Sequence, residues 1–73
     1  MKKREMMQAV RRVYPLATAF TRIDNGRHQI DAGGLSLPAE IVGAGPTEYT
    51  AWADAWQRIV RADAAERLQG MQG

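Results

Sequence analysis

The side chains of this 73-residue chain that could carry chemistry are few and far apart. The sequence holds no cysteine, a single histidine, His28, and a single serine, Ser36. A serine nucleophile needs a base within hydrogen-bond reach, and His28 is predicted to lie on a hairpin strand with no such role. One histidine without cysteine also lacks the ligand set of a zinc site. We therefore expect a protein that is not an enzyme, with no catalytic, cofactor-binding or metal-binding residue.

Two other patterns could suggest a reactive site. Gly43-Ala44-Gly45 precedes a predicted helix, as glycines do in phosphate-binding loops, yet neither the dinucleotide fingerprint nor a lysine-serine pair follows it. We interpret it as a connector, with Gly45 at the helix cap and Pro46 in the first helical position. Asp63 and Glu66 are closely spaced carboxylates, but their surroundings are typical of a solvated helix surface.

The charges are unevenly distributed along the chain. Residues 1–12 contain five basic residues and one acidic residue, a net charge of +4, whereas residues 13–73 contain five arginines and seven acidic residues, a net charge of −2. A dedicated nucleic-acid-binding protein usually extends its positive potential over the folded surface, which this body does not do. The basic segment is either a solvated helix face or a contact for nucleic acid or an acidic protein patch.

Asn25-Gly26 lies between two runs of alternating residues, which is a strong hairpin signal. A two-residue type I′ turn would place Asp24 opposite Arg27 and Thr21 opposite Ile30. The hairpin then has two faces. The predicted core face contains Ala17, Ala19, Thr21, Ile23, Ile30 and Ala32, and the predicted solvent face contains Phe20, Arg22, Asp24, Arg27, Gln29 and Asp31.

The other elements follow from hydrophobic spacing and from proline and glycine. We predict a basic N-terminal arm and helix over 1–14, a sheet over 16–42 and a C-terminal helix over 46–69 that Gly70 ends. The strands span 16–23, 27–32 and 35–42, and Pro38, which cannot donate to a ladder, places the third at an edge. The prediction is one α+β domain, α-β-β-β-α, with a three-stranded antiparallel meander.

The last helix is predicted to be longer than the body it covers. At 1.5 Å per residue it would span about 36 Å, whereas a compact domain of this length is about 29 Å across. Trp52 and Trp56 are expected to anchor the core. Because the helix is longer than the body, its last turns either fray or pack their apolar residues beyond Ile59 on another chain. A homodimer joined by this helix is therefore one possible assembly.

Phe20 is an aromatic residue in a mixed-charge patch, a composition that suits a protein interface, unless a helix covers it. We therefore expect a large protein partner and no membrane partner. The alternative is a nucleic-acid-binding module in which the arm tracks phosphates and the hairpin face brings Arg22, Arg27 and Gln29 to a groove. The candidate partner-binding residues are Lys2, Lys3, Arg4, Phe20, Arg22, Arg27 and Gln29.

The chain is expected to be cytoplasmic, as a monomer or weak dimer. Its longest apolar run is far below the roughly 20 residues that span a bilayer. Gln8, Arg11 and Arg12 interrupt the apolar region that a signal peptide would need after its charged start.

The element order α-β-β-β-α, with Gly43-Ala44-Gly45 before the last helix, resembles that of double-stranded-RNA-binding domains. Such domains carry lysines at the start of that helix, where this chain has Pro46-Thr47-Glu48. The resemblance therefore implies a shared topology without shared phosphate binding.

The whole chain, cysteine-free, rich in arginine and alanine and basic at its amino terminus, resembles small transcription regulators of Xanthomonas phages. That resemblance implies a non-enzymatic protein that binds the amino-terminal part of the largest subunit of host RNA polymerase. It implies inhibition of sigma-dependent transcription initiation and an effect on termination. No site residue follows from it.

Overall fold

A computed structural model describes residues 1–34 and 39–72 of the chain. The elements are a short helix, three strands and a long helix, and the strands form one antiparallel sheet in the order β1-β2-β3. The predicted α+β meander with two flanking helices is confirmed. The bounds are α1 Lys3–Val13, β1 Thr18–Thr21, β2 His28–Asp31, β3 Ile41–Gly45 and α2 Glu48–Gln72.

The hairpin connection is longer than the predicted two-residue turn. The Arg22 N–H donates to the Arg27 carbonyl, and the Gly26 N–H donates to the Arg22 carbonyl, so residues 23–26 form a four-residue loop. Gly26 has a φ of 68°, the left-handed conformation that glycine adopts without strain. The Asn25 side chain accepts from the Arg27 N–H at 2.9 Å, which explains why this pair signals a turn.

The longer loop changes the strand register. Thr21 lies opposite His28 and Ala19 opposite Ile30, so the predicted pairing of Thr21 with Ile30 is wrong. The observed register differs from the predicted one by two residues along one strand. Side chains alternate between the two faces of a strand with a period of two, so this shift moves no side chain to the other face. The division of the hairpin into two faces is therefore retained.

Three residues depart from their predicted environments. Ile23 lies in the loop and is fully exposed, and Thr21, expected on the core face, is exposed as well. Asp31, expected to be solvated, is buried. Asp31 Oδ1 accepts from the Gly33 N–H at 2.8 Å and from the Glu40 N–H at 3.3 Å, so its burial organises the β2–β3 connection. Its Oδ2 has no hydrogen-bond partner among the described residues.

The third strand lies later in the chain than predicted, because Gly43-Ala44-Gly45 is not a connector. These residues pair with β2, and α2 crosses directly over them. A Cβ at Gly43 would lie 2.6 Å from the Ala51 carbonyl oxygen and 2.7 Å from the Ala55 Cβ. Glycine is needed there for contact between backbones. Much of the predicted third strand, including Pro38, falls within 35–38, outside the described residues.

Helix α2 begins at Glu48 and not at Pro46, because Thr47 caps it. The Thr47 hydroxyl accepts from the Thr50 N–H at 3.1 Å, and the Thr50 hydroxyl accepts from the Thr47 N–H at 2.9 Å. This reciprocal arrangement is that of a capping box. The helix continues through Gly70 to Gln72, so the predicted stop at Gly70 and the predicted cap at Gly45 are both wrong.

The core lies between the sheet and the two helices. Trp52 is fully buried at its centre, as predicted, whereas Trp56 is half-buried at its margin. Beyond Ile59, α2 extends past the body with Val60 46% and Leu68 61% exposed, so the predicted overhang is confirmed. The buried apolar residues are Met6, Val10, Ala17, Ile30, Ala51, Trp52 and Ala55.

Neither helix, over the residues that the structure describes, combines the length and apolar character needed to cross a membrane.

The contact of α2 with β3 predicts opposite effects for the same substitution at two glycines. Gly43→Ala should lower the free energy of unfolding by about 1–3 kcal/mol, because its methyl group overlaps Ala51 and Ala55. Gly70→Ala meets nothing within 4 Å and should raise stability by up to about 1 kcal/mol through helix propensity. Urea denaturation monitored by tryptophan fluorescence measures both; equal effects would contradict the close approach.

Candidate functional site

The structure places the predicted partner-binding residues in two groups. Lys2, Lys3 and Arg4 form the start of α1, where Lys2 is the N-cap. The other four lie on the hairpin: Phe20 in β1, Gln29 in β2, and Arg22 and Arg27 beside the loop.

Glu48, which the sequence did not single out, links these two groups. Lys3 Nζ lies 3.1 Å from Glu48 Oε2, which ties the start of α1 to the start of α2. Glu48 also lines a shallow cleft of about 200 Å³ together with hairpin residues. We call the first turn of α1, Glu48 and the β1–β2 hairpin the hairpin-end surface. The cleft residues are Ala19, Phe20, Thr21, His28 and Glu48.

Two of the predicted cations on the hairpin-end surface already have carboxylate partners. Besides the Lys3–Glu48 pair, Arg22 contacts Asp24 through two hydrogen bonds, Nε to Oδ1 at 2.9 Å and Nη2 to Oδ2 at 3.0 Å. The hydrogen bond from Arg22 lowers the pKa of Asp24 below its usual value. Within residues 1–34 and 39–72, ion pairs involve neither Lys2, Arg4 nor Arg27. Since the first turn of α1 also contains Glu5, these three cations leave this surface with a small net positive charge.

Phe20 and Gln29 are cross-strand neighbours, and both are half-buried. Their side chains lie on the sheet face opposite that of Ile30, because they alternate with Ala19 and Ile30 along the two strands. Ile30 and its partner Gly43 face α2. Phe20 is therefore on the predicted solvent face of the hairpin, which α2 does not cover, although its neighbours still cover part of it.

His28 lies on a strand of the hairpin, as the sequence predicted. It lies on the central strand between Thr21 and Gly45, and its Nδ1 is 3.4 Å from Thr21 Oγ1. Within the part of the chain that the structure describes, no three histidine, aspartate or glutamate residues cluster as metal ligands would. The hairpin-end surface thus offers hydrogen bonds, ion pairs and apolar contact.

An apolar groove at the other end of the molecule also escaped sequence reasoning. It measures about 420 Å³ and is formed where the overhanging part of α2 passes the end of α1 and the start of β3. Its signal in the sequence is the predicted overhang of α2. Its apolar lining includes Val13, Tyr14, Ile41, Val42 and Ile59.

The Lys3–Glu48 pair predicts a pH dependence of stability. The hydrogen bond from Lys3, followed by that from Trp52, lowers the pKa of Glu48 below its usual value in the folded chain. A lowered pKa adds stability above the unfolded-state pKa, and that stability is lost as the pH falls through the folded-state pKa. Glu48→Gln should therefore be slightly less stable than the parent chain at pH 7.

The difference at pH 7 should be small, below about 1 kcal/mol, because both side chains are more than one third exposed. It should shrink towards zero near pH 2 as Glu48 becomes protonated. Urea titrations of the parent and Glu48→Gln chains across this range provide the measurement, with Glu66→Gln as an exposed-glutamate control. A difference that stays constant with pH would contradict the ion pair.

Comparisons with protein-family models, with curated protein sequences and with solved structures find no match for this chain. The resemblance to double-stranded-RNA-binding domains is limited to the order of the helices and strands. A function is therefore inferred from the contacts and charges of the hairpin-end surface.

Proposed function

We propose that this chain is a non-enzymatic regulator that acts by binding a larger protein through its hairpin-end surface. The observation that carries the proposal is that Phe20, half-buried on the sheet face that α2 does not cover, lies two residues before Arg22, a cation that already has a carboxylate partner in Asp24. Apolar area among mixed charges is the composition of a protein interface. Carboxylates within the surface would repel nucleic-acid phosphates, which favours a protein partner over nucleic acid.

The partner that the resemblance to phage regulators suggests is bacterial RNA polymerase, through the amino-terminal part of its largest subunit. A chain of this size would act by occupying a surface that the sigma factor or the promoter needs. The proposed outcome is reduced sigma-dependent transcription initiation. Lys2, Arg4 and Arg27 would steer the chain towards an acidic patch on the polymerase, since complementary charge chiefly raises the association rate.

The proposal predicts that Phe20→Ala and Arg22→Glu each weaken binding to purified RNA polymerase. Loss of a half-buried interface aromatic should raise the Kd about 5- to 30-fold, which corresponds to about 1–2 kcal/mol. Leu68→Ala is the matched control, because Leu68 is an exposed apolar residue on the overhang of α2, outside the hairpin-end surface. Biolayer interferometry with immobilised holoenzyme measures all three variants, and circular dichroism checks their fold.

If the Phe20→Ala, Arg22→Glu and parent chains bind the polymerase with equal affinity, the hairpin-end surface is excluded as the binding site. Absence of polymerase binding by the parent chain would exclude this partner. The salt dependence of binding distinguishes a protein partner from a nucleic-acid partner. The affinity for duplex DNA or RNA should fall steeply between 50 and 200 mM salt, by about tenfold or more if several phosphates are contacted. Tight, salt-sensitive binding to nucleic acid alone would favour the nucleic-acid-binding function.

A further inference from the structure

The two edges of the sheet differ in how their outward-pointing backbone groups are satisfied. In an antiparallel pair, residues alternate between those bonded to the neighbouring strand and those pointing away from it. Arg22 bonds to Arg27 across the hairpin, so Phe20 likewise bonds to Gln29. The N–H and C=O groups of Ala19 and Thr21 therefore point away from β2, towards the free edge of β1.

Side chains satisfy outward-pointing groups elsewhere in the sheet. On β3, Asp54 Oδ2 accepts from the Ala44 N–H at 3.0 Å. Just before β1, Arg11 Nε donates to the Ala17 carbonyl oxygen at 3.1 Å while its guanidinium lies 5.5 Å from the centre of the Trp52 ring. Within residues 1–34 and 39–72, no hydrogen bond reaches the outward backbone groups of Ala19 or Thr21.

The open part of β1 also lacks the features that keep sheet edges from pairing. Proteins protect such edges with charged residues, prolines, bulges or a covering element. Residues 18–21 are Thr-Ala-Phe-Thr, without charge or proline, and their pairing with β2 is regular. Over the described ranges, helix α1 packs on α2 and is not in contact with β1, and Glu48 of α2, paired with Lys3, lines the open cleft beside β1 without a hydrogen bond to its backbone.

We propose that the edge of β1 at Ala19 and Thr21 is a strand-addition site, at which an extended, acid-flanked segment of a partner protein pairs as a fourth strand. This inference rests on the proposed function and names its mode of recognition. Ala19 and Thr21 supply two N–H donors and two C=O acceptors, the pattern by which one added strand is held. A side chain of that strand beside Phe20 would complete its burial.

The charges at the two ends of β1 select the chemistry of the occupant. Arg11, hydrogen-bonded to the Ala17 carbonyl just before β1, lies at one end, and Arg27, beside the hairpin loop, lies at the other. Among the described residues neither cation has a carboxylate partner, so acidic residues flanking the added strand are favoured. A second copy of this chain would bring the same cations towards each other. The surface therefore fits an apolar strand flanked by aspartate or glutamate better than a second β1.

A synthetic peptide in which valine and threonine alternate between terminal aspartates tests this site without any polymerase. Titration into the ¹⁵N-labelled full chain should shift the amide signals of Ala19, Phe20 and Thr21. At saturation, amide exchange at Ala19 and Thr21 should slow by about tenfold. Two matched controls should bind at least about tenfold more weakly: the same peptide N-methylated at alternate residues, and a peptide with lysines in place of the aspartates.

Ala19→Pro removes one outward donor at a position where an edge strand tolerates proline, and it should weaken binding of the aspartate peptide. If this variant misfolds, the proposal is still tested by comparing how tightly the parent chain binds the N-methylated and the unmodified aspartate peptides. The proposal is overturned if the peptide leaves β1 unshifted, if its signals map to the apolar groove at Val13 and Ile59, or if the N-methylated peptide binds equally well.

Slowed exchange at Ala19 and Thr21 on concentrating the chain alone would also overturn it, in favour of a second copy as occupant. The peptide result is independent of RNA polymerase. A chain that binds the peptide on β1 but not the polymerase retains the strand-addition site and loses the proposed partner. The reverse result retains the partner and excludes strand addition.

Discussion

The close contact between α2 and β3 is the constraint on which the rest of the structure depends. Gly43 lets the helix backbone approach the strand so closely that a single methyl group would overlap Ala51 and Ala55. At this separation Trp52 fills the space between the sheet and α1, with Arg11 over its ring. The domain thereby obtains a buried core from few large side chains, which a chain of this length needs.

The same contact makes the two sides of the sheet unequal. Because α2 lies over β3, Asp54 reaches the outward-pointing N–H of Ala44, and Glu48 is brought to the hairpin end, where it meets Lys3. Helix α2 makes far less contact with β1 than with β3. The β3 edge thus lies against α2 and has its Ala44 N–H bonded to a side chain, whereas the β1 edge presents the backbone of Ala19 and Thr21. The location of the proposed partner site follows from this asymmetry.

Hydrophobic periodicity and turn residues were sufficient to predict the element order, the meander, the burial of Trp52 and the overhang of α2. They failed where distant contacts decide the local structure. Gly43-Ala44-Gly45 has the composition of a loop but is a strand, because a helix that follows in the chain packs against it. Asp31 is polar but buried, because its carboxylate accepts backbone N–H groups of the next connection. Strand alternation alone selected four of the seven candidate residues, namely Phe20, Arg22, Arg27 and Gln29. The alternation holds although the predicted register is wrong by two residues. The position of Glu48 between α1 and the hairpin could be seen only in the folded structure.

Amide hydrogen exchange on the free, dilute chain tests the unequal edges most directly. The Ala44 amide, bonded to Asp54, and the Phe20 amide, bonded within the hairpin, should exchange slowly, whereas the Ala19 and Thr21 amides should exchange much faster than Phe20 between them. An alternation of fast and slow exchange along β1, with Ala44 protected on β3, is the expected result. Protection of Ala19 and Thr21 equal to that of Phe20 would show that the edge of β1 is already occupied and would contradict the account.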